Sequence, residues 1–233
     1  MNMQSQLVLD LSLPARPTLD NFVVGRNAEL IQVLRGMLAA IAHERFVYLW
    51  GSPGSGRSHL LNAMVDAFRQ QHLSASYICS CQDSEIAPGT EQLDALAVDD
   101  VERLSGNAQI ALFNLYNQIR EGAGMLLVSG AMPPAQLKLR EDLVTRLGWG
   151  LVFQVHGLND EEKTQALKTH ARNRGFELPQ EAADYLLSHG RRDMPSLLAA
   201  LDALDNYSLR TKRPVTLPLL REIMQAQSSP GGE

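Results

Sequence analysis

Cysteine is scarce in this 233-residue sequence: there are two, Cys79 and Cys81, inside the alternating stretch 75–81. With no second pair and no histidine beside them they lack the spacing of a zinc site, so a structural place in a strand is expected. The six histidines, His43, His59 and His170 among them, form no ligand spacing either. Long apolar runs are also missing. None reaches the roughly 18–20 residues of a membrane-crossing helix, and the start of the chain has no basic-then-apolar signal layout. The expectation is a cytoplasmic protein with no membrane partner. A basic excess is missing as well: 21 Lys and Arg against 26 Asp and Glu leave a net charge of −5. Proteins that grip nucleic acid draw most of their affinity from neutralising phosphates, so any link to DNA is expected to run through another protein.

What is present is the composition of an ordinary globular protein, 45% hydrophobic and 20% charged, with length for one α/β domain and a small second one. Residues 1–17 read as a flexible tail, with Pro14 and Pro17 blocking regular structure. Five short apolar runs follow, at 46–50, 75–79, 95–99, 125–129 and 151–155. Several are almost wholly apolar, as suits parallel strands buried on both faces. Between them Leu60, Leu61, Met64, Val65 and Phe68, and then Leu112, Leu115, Tyr116 and Ile119, recur at helical spacing. Strand–helix alternation of this kind predicts an α/β fold, a five-stranded parallel sheet flanked by helices over 18–157. Beyond it the pattern is helical only. Asn159 with Glu162 fits a capping box, Pro179 the first turn of the next helix, and further helices fall near 194–207 and 217–226. An all-helical domain is expected at 158–226, followed by a disordered tail at 227–233.

The run Gly51-Ser52-Pro53-Gly54-Ser55-Gly56-Arg57-Ser58 matches the phosphate-loop pattern G-x-x-x-x-G-K-[ST] except that Arg57 replaces lysine. The glycines allow backbone angles that turn successive amides around phosphate oxygens. The following helix, whose first turn also carries His59, directs its positive dipole end at the same oxygens. Ser58 is placed to ligate Mg²⁺. Arginine keeps the charge but is planar and bidentate, which favours holding phosphate over organising its transfer. About 40 residues on, Leu96-Ala97-Val98-Asp99-Asp100 is an apolar strand ending in two carboxylates. This is a Walker B layout, with Asp99 expected at the metal and Asp100 at the water-polarising position.

These motifs resemble the DnaA family of AAA+ proteins. The segment Thr18-Leu19-Asp20-Asn21-Phe22-Val23-Val24-Gly25-Arg26-Asn27 resembles the family's leading segment near the adenine, which implies Val23 and Val24 as nucleotide contacts. The stretch 125–134 resembles the sensor 1 strand, with Ser129 as its polar contact, although Ala131 and Met132 stand where DnaA commonly has Asp and Arg. The stretch 142–150 resembles box VII, which implies Arg146 as an arginine finger. Gly190-Arg191-Arg192-Asp193-Met194 resembles the start of the sensor 2 helix, with Arg192 or its neighbour Arg191 at the sensor.

The arginine-bearing loop, a short tail in place of an N-terminal domain, and no counterpart to a basic helix-turn-helix domain are similar to the Hda branch of this family. That resemblance implies a helical lid domain and bound adenine nucleotide, ADP or ATP, with Mg²⁺. It also implies weak or absent ATPase activity of the chain's own, and the initiator DnaA and the DNA polymerase III β sliding clamp as partners. The role implied is negative regulation of replication initiation, by stimulating DnaA to hydrolyse its ATP. Gln6, Leu7, Leu9 and Leu11 resemble a clamp-binding motif, in which a glutamine and spaced apolar side chains dock from a mobile tail. The apolar stretch 7–13 is equally suited to pairing with a second copy in a homo-oligomer. Two alternatives share the phosphate loop: a helicase-loader type AAA+ protein acting on single-stranded DNA or a helicase, and a free-standing ATPase.

Overall fold

The structure, a computed structural model, describes residues 16–39, 44–80, 86–87, 89–191 and 193–228. Gln6, Leu7, Leu9, Leu11, Cys81 and Arg192 lie outside the described residues. Two compact units are distinguished, one over Arg16–Gly157 and one holding Leu158–Glu233.

The first unit is built on five strands, β1 (Phe46–Trp50), β2 (Ala75–Cys79), β3 (Ala95–Asp99), β4 (Met125–Gly130) and β5 (Leu151–Gln154), in the spatial order β2-β3-β4-β1-β5. All four pairings are parallel. Strands of this kind need long crossovers, and the crossovers are helices. They include α2 (Arg57–Gln70), α3 (Gly106–Glu121) and α4 (Glu141–Leu147), with α1 (Ala28–Leu38) preceding β1. Successive side chains of a strand point to opposite faces, and β1 shows the consequence. Val47 and Leu49 join a core with Leu60, Leu61, Met64 and Phe68 of α2 and Leu30 and Leu34 of α1. Phe46 and Tyr48 join a separate core with Leu112, Leu115 and Ile119 of α3 and Leu143 of α4. The central strands β1, β3 and β4 are thus covered on both faces and are buried nearly throughout, whereas the edge strand β5 alternates half-buried and exposed residues.

Helix ends are tied locally. Ser105 caps α3 by accepting from the Ala108 amide at 3.2 Å. At the other end Arg45 closes the helix: its guanidinium donates to the carbonyls of Ile119, Gly122, Gly124 and Arg120 at 3.2, 2.7, 3.2 and 3.1 Å. Carbonyls at a helix C-terminus have no partner within the helix, and a cation there also complements the dipole.

The second unit contains α5 (Asp160–Asn173), α6 (Gln180–His189), α7 (Met194–Thr211) and α8 (Leu217–Ser228) around Leu167, Leu186, Leu197, Leu201, Leu204 and Leu220. The capping box at α5 is complete: Asn159 Oδ1 accepts from the Glu162 amide at 2.7 Å, and Glu162 Oε2 accepts from the Asn159 amide at 2.8 Å. Pro179 precedes α6 rather than sitting in its first turn, and its carbonyl accepts from the Ala182 and Ala183 amides. Arg174 ties α5 to α7 through Asp205 at 2.8 Å and Asp202 at 3.3 Å. Among the described residues no helix is long and apolar enough to cross a membrane.

Four charge-assisted bonds at one helix end predict a measurable cost. Arg45→Ala should lower the unfolding free energy by about 1–3 kcal/mol, and Arg45→Lys should recover only part of it, since an ammonium cannot span four carbonyls. Urea unfolding followed by circular dichroism measures both.

Candidate nucleotide site

In a parallel sheet all strands exit on one edge, and ligands gather beyond that edge where the strand order reverses. Here β4 lies between β1 and β3, so three exits stand side by side. They are the loop after Trp50, the acids at the end of β3, and Ser129 near the end of β4. The register pairs Leu49 with Ser129 and Val98 with Val128. Asp99, one step beyond Val98, therefore arrives beside Ser129.

The loop is shaped by left-handed glycines, Gly54 at φ 78° and Gly56 at φ 104°, and the Ser55 amide donates to the Ser52 carbonyl at 3.1 Å. Alternation of this sort makes a concave, amide-rich surface suited to anions. Packing is tight around it. A Cβ on Gly51 would collide with the Val155 carbonyl, and one on Gly56 would come within 2.7 Å of the Phe22 ring. The helix α2 begins at Arg57 directly after Gly56. Among the described residues, Ser55 Oγ and Arg57 Nη1 are buried without a hydrogen-bond partner. Two orphaned polar groups beside a glycine cradle and a helix start fit a phosphate-bearing ligand, because burial without partners otherwise carries a desolvation cost.

The acidic pair is divided in its tasks. Asp99 is 2% exposed and accepts from Tyr77 Oη at 2.6 Å and from Ser129 Oγ. Burial, and then Asp99 itself, push the Tyr77 phenol well above its ordinary range. Asp100 turns away from β3 with φ 53°, its amide donates to Ser129 Oγ at 3.2 Å, and its carboxylate takes Arg57 Nη2 at 3.2 Å. A little further on, Glu102 Oε1 accepts from the Ala131 amide at 3.1 Å, and Oε2 is buried without a partner among the described residues. Tyr48 Oη donates to the Met132 carbonyl at 2.7 Å; its phenol is pushed up by burial and then by Glu102, with Arg57 opposing. Serine hydroxyl and carboxylate oxygens are the donor types Mg²⁺ takes, and among the described residues no larger group of His, Cys, Asp or Glu converges as a metal cage. Ser58 and Asp99 fit such an ion only in company with ligand oxygens.

The leading segment is fastened to the loop from behind. Asn27, buried, donates through Nδ2 to the carbonyls of Val24 at 3.0 Å and His156 at 2.9 Å, and accepts from the His156 amide at 2.8 Å. This places half-buried Val23 and Val24 at a fixed position beside the exit of β5. His59 faces the same segment: its Nε2 lies 2.9 Å from the Thr18 carbonyl and its ring is tilted against Phe22. Burial lowers its pKa.

Two family profiles match the sequence, described as "Bacterial DnaA ATPase domain" over residues 79–154 and "Hda, lid domain" over residues 160–224. Over these two segments the chain is similar to DnaA-related AAA+ proteins. Its AAA+ fold is shared by solved structures. The AMPPCP-bound DnaA of Aquifex aeolicus is 22% identical, with a TM-score of 0.67 over 86% of this chain and 71% of that one. Domain III of Thermotoga maritima DnaA is 21% identical, with a TM-score of 0.70 over 94% and 99%. The Holliday junction motor RuvB of Thermotoga maritima is more distant at 16%, with a TM-score of 0.64 over 90% and 71%.

Not all the expected AAA+ residues converge. Arg146 stands apart from the loop, in the last turn of α4. Its guanidinium lies 3.9 Å from the Trp149 ring centre and 5.4 Å from that of Phe113, and its Nε is buried without a partner among the described residues. A small cavity beside it is lined by Phe46, Val47 and Gly150, at the entering ends of β1 and β5, whereas the phosphate loop leaves from the exiting end. In the second unit, Arg191 is exposed and paired with Asp193 at 3.2 Å, and Asp193 caps α7 through the Ser196 amide. Tyr77 and Glu102 carried no motif signal, and Asn27 and Trp149, although inside the leading segment and the box VII stretch, were given no role there. Alternation places Tyr77 and Cys79 on the same face of β2, but only the pairing of β2 with β3 brings Tyr77 to Asp99.

The loop glycines should differ in what they tolerate. Gly56→Ala needs a left-handed backbone and drives Cβ into Phe22, so it should cost about 2–3 kcal/mol of unfolding free energy. Gly54→Ala, with nothing within 4 Å of the added Cβ, should cost about 1–2 kcal/mol, the left-handed penalty alone. Chemical denaturation of the two variants checks the order.

Proposed function

We propose that this protein binds an adenine nucleotide, ADP at least as well as ATP, at Gly51–Ser58, and that it acts as a negative regulator of replication initiation. In this reading it stimulates the ATPase of DnaA through Arg146 while held at the DNA polymerase sliding clamp. The observation that carries it is the separation of two arginines in one unit. Arg57 opens α2 at the phosphate loop, and Arg146 is stacked on Trp149 toward the opposite edge of the sheet. An arginine that cannot serve its own loop is free to serve a neighbour's, where one added cation on the developing phosphoryl charge can raise the rate about 10³-fold or more. The presence of both a DnaA-type ATPase segment and an Hda-type lid supports DnaA as that neighbour.

Within its own site, Arg57 and the loop hold the phosphates, Val23 and Val24 line the base, and Ser58 and Asp99 orient the metal. Bound Mg²⁺ would neutralise phosphate charge there. Ser129 keeps Asp99 and Asp100 in place. His59 supports the leading segment rather than the reaction. Asp100, occupied by Arg57, is a poor water-polarising group, which fits a chain whose own hydrolysis is weak. Gln6, Leu7, Leu9 and Leu11 dock on the clamp and tie the protein to DNA indirectly.

Two measurements test the halves of this reading. Arg146→Ala should keep ADP binding and reduce the stimulated conversion of DnaA-bound ATP to ADP by about 10³-fold in the presence of loaded clamp; full stimulation by that variant would leave an adaptor without a finger. Gln6→Ala should abolish co-elution with the clamp while leaving calorimetric ADP binding unchanged, and persistent co-elution would remove the tail from the interface.

A further inference from the structure

The cation of the phosphate loop already has a partner. Arg57 Nη2 lies 3.2 Å from Asp100 Oδ1, with the two side chains 10% and 25% exposed. The backbone is arranged for this contact. Asp100 takes a left-handed conformation, φ 53° and ψ 52°, which costs a non-glycine residue free energy unless its surroundings hold it. They do: its amide is bonded to Ser129 Oγ and its carbonyl accepts from the Arg103 amide at 2.9 Å. An extended residue here would carry the carboxylate onward along β3. The left-handed turn instead aims it across the strand exits at α2.

The guanidinium is only half used, since Nη1 is buried and without a partner among the described residues. Arginine holds phosphate best with both prongs of its fork, and one prong here is taken by a carboxylate. Glu102 adds a second negative charge close by, with Oε2 buried and unpartnered among the described residues.

We propose that Asp100 is an affinity-setting counter-ion that competes with phosphate for Arg57, so that nucleotide binding requires the Arg57–Asp100 pair to open. The inference rests on the nucleotide reading above and goes beyond it: the second acid of the Walker B layout works against binding. A lysine at position 57 would present a single point charge, whereas the arginine fork can be shared between carboxylate and phosphate part-way through the exchange. The device lowers affinity without altering the cradle itself.

The test is calorimetric titration of ADP into nucleotide-free protein in Mg²⁺-free buffer containing a chelator, which removes any effect through metal. Asp100→Asn removes the charge while keeping a residue type that tolerates the left-handed backbone, and Asp100→Gly does so without any side chain. Both should bind ADP more tightly than the wild type, by about fivefold, the size of one partly exposed ion pair. Glu102→Gln removes the charge two positions further along the chain, which is not bonded to Arg57, and should change affinity less than about twofold. Equal affinity of wild type and both Asp100 variants overturns the counter-ion role and leaves nucleotide binding intact. Equal tightening by the Glu102 and Asp100 variants also overturns it, in favour of general charge repulsion. No ADP binding by any of the proteins overturns it together with the nucleotide reading.

Discussion

Parallel pairing of β4 between β1 and β3 is the constraint on which the rest of the site hangs. The sheet register leaves Ser129 beside Asp99, and the same hydroxyl receives the Asp100 amide. From that fixed point Asp100 reaches Arg57 at the start of α2, and Tyr77 closes on Asp99 from β2. One buried serine thus connects three strands and a helix start. Its neighbours keep an uneven charge balance, with three carboxylates in the 99–102 stretch and Arg57 bonded to one of them, Asp100. Orphaned atoms collect where that balance is worst, on Arg57, Glu102 and Ser55. Polar groups buried in this way are costly in the folded protein; Arg57 Nη1 and Ser55 Oγ are donors that an anionic ligand would satisfy, whereas the Glu102 oxygen would repel one.

Against that crowded edge the other end of the sheet is aromatic. Phe46 stacks on Tyr116, Tyr116 meets Trp149 edge-on, and Trp149 carries Arg146 on its face with Arg120 5.0 Å from the ring centre. Guanidinium groups are weakly hydrated and stack on rings at small cost. Arg146 is thereby held without a carboxylate partner among the described residues. The two arginines differ in kind: Arg57 is buried and matched by an acid, and Arg146 rests on an indole that is half exposed. The finger role proposed above suits the second arrangement, because a guanidinium stacked on a ring is not neutralised by an acid.

The sequence by itself determined the element order. Runs of apolar residues four to six long, separated by helical periodicity, leave few choices besides a parallel sheet, and the five strands appear where the runs are, with β4 one residue longer and β5 one shorter than expected. Glycine spacing and the residues around it marked the loop, because left-handed backbone is a property of the residue type. The capping box at Asn159 was legible because its chemistry spans four consecutive residues. Tertiary structure alone decided what the charged side chains face. Nothing local tells Asp100 to leave its strand and meet Arg57, 43 positions earlier, or Arg146 to lie over Phe113, 33 positions earlier. Those contacts depend on which strands are neighbours and on register, and register is set by the packing of both sheet faces at once rather than by any short stretch of chain.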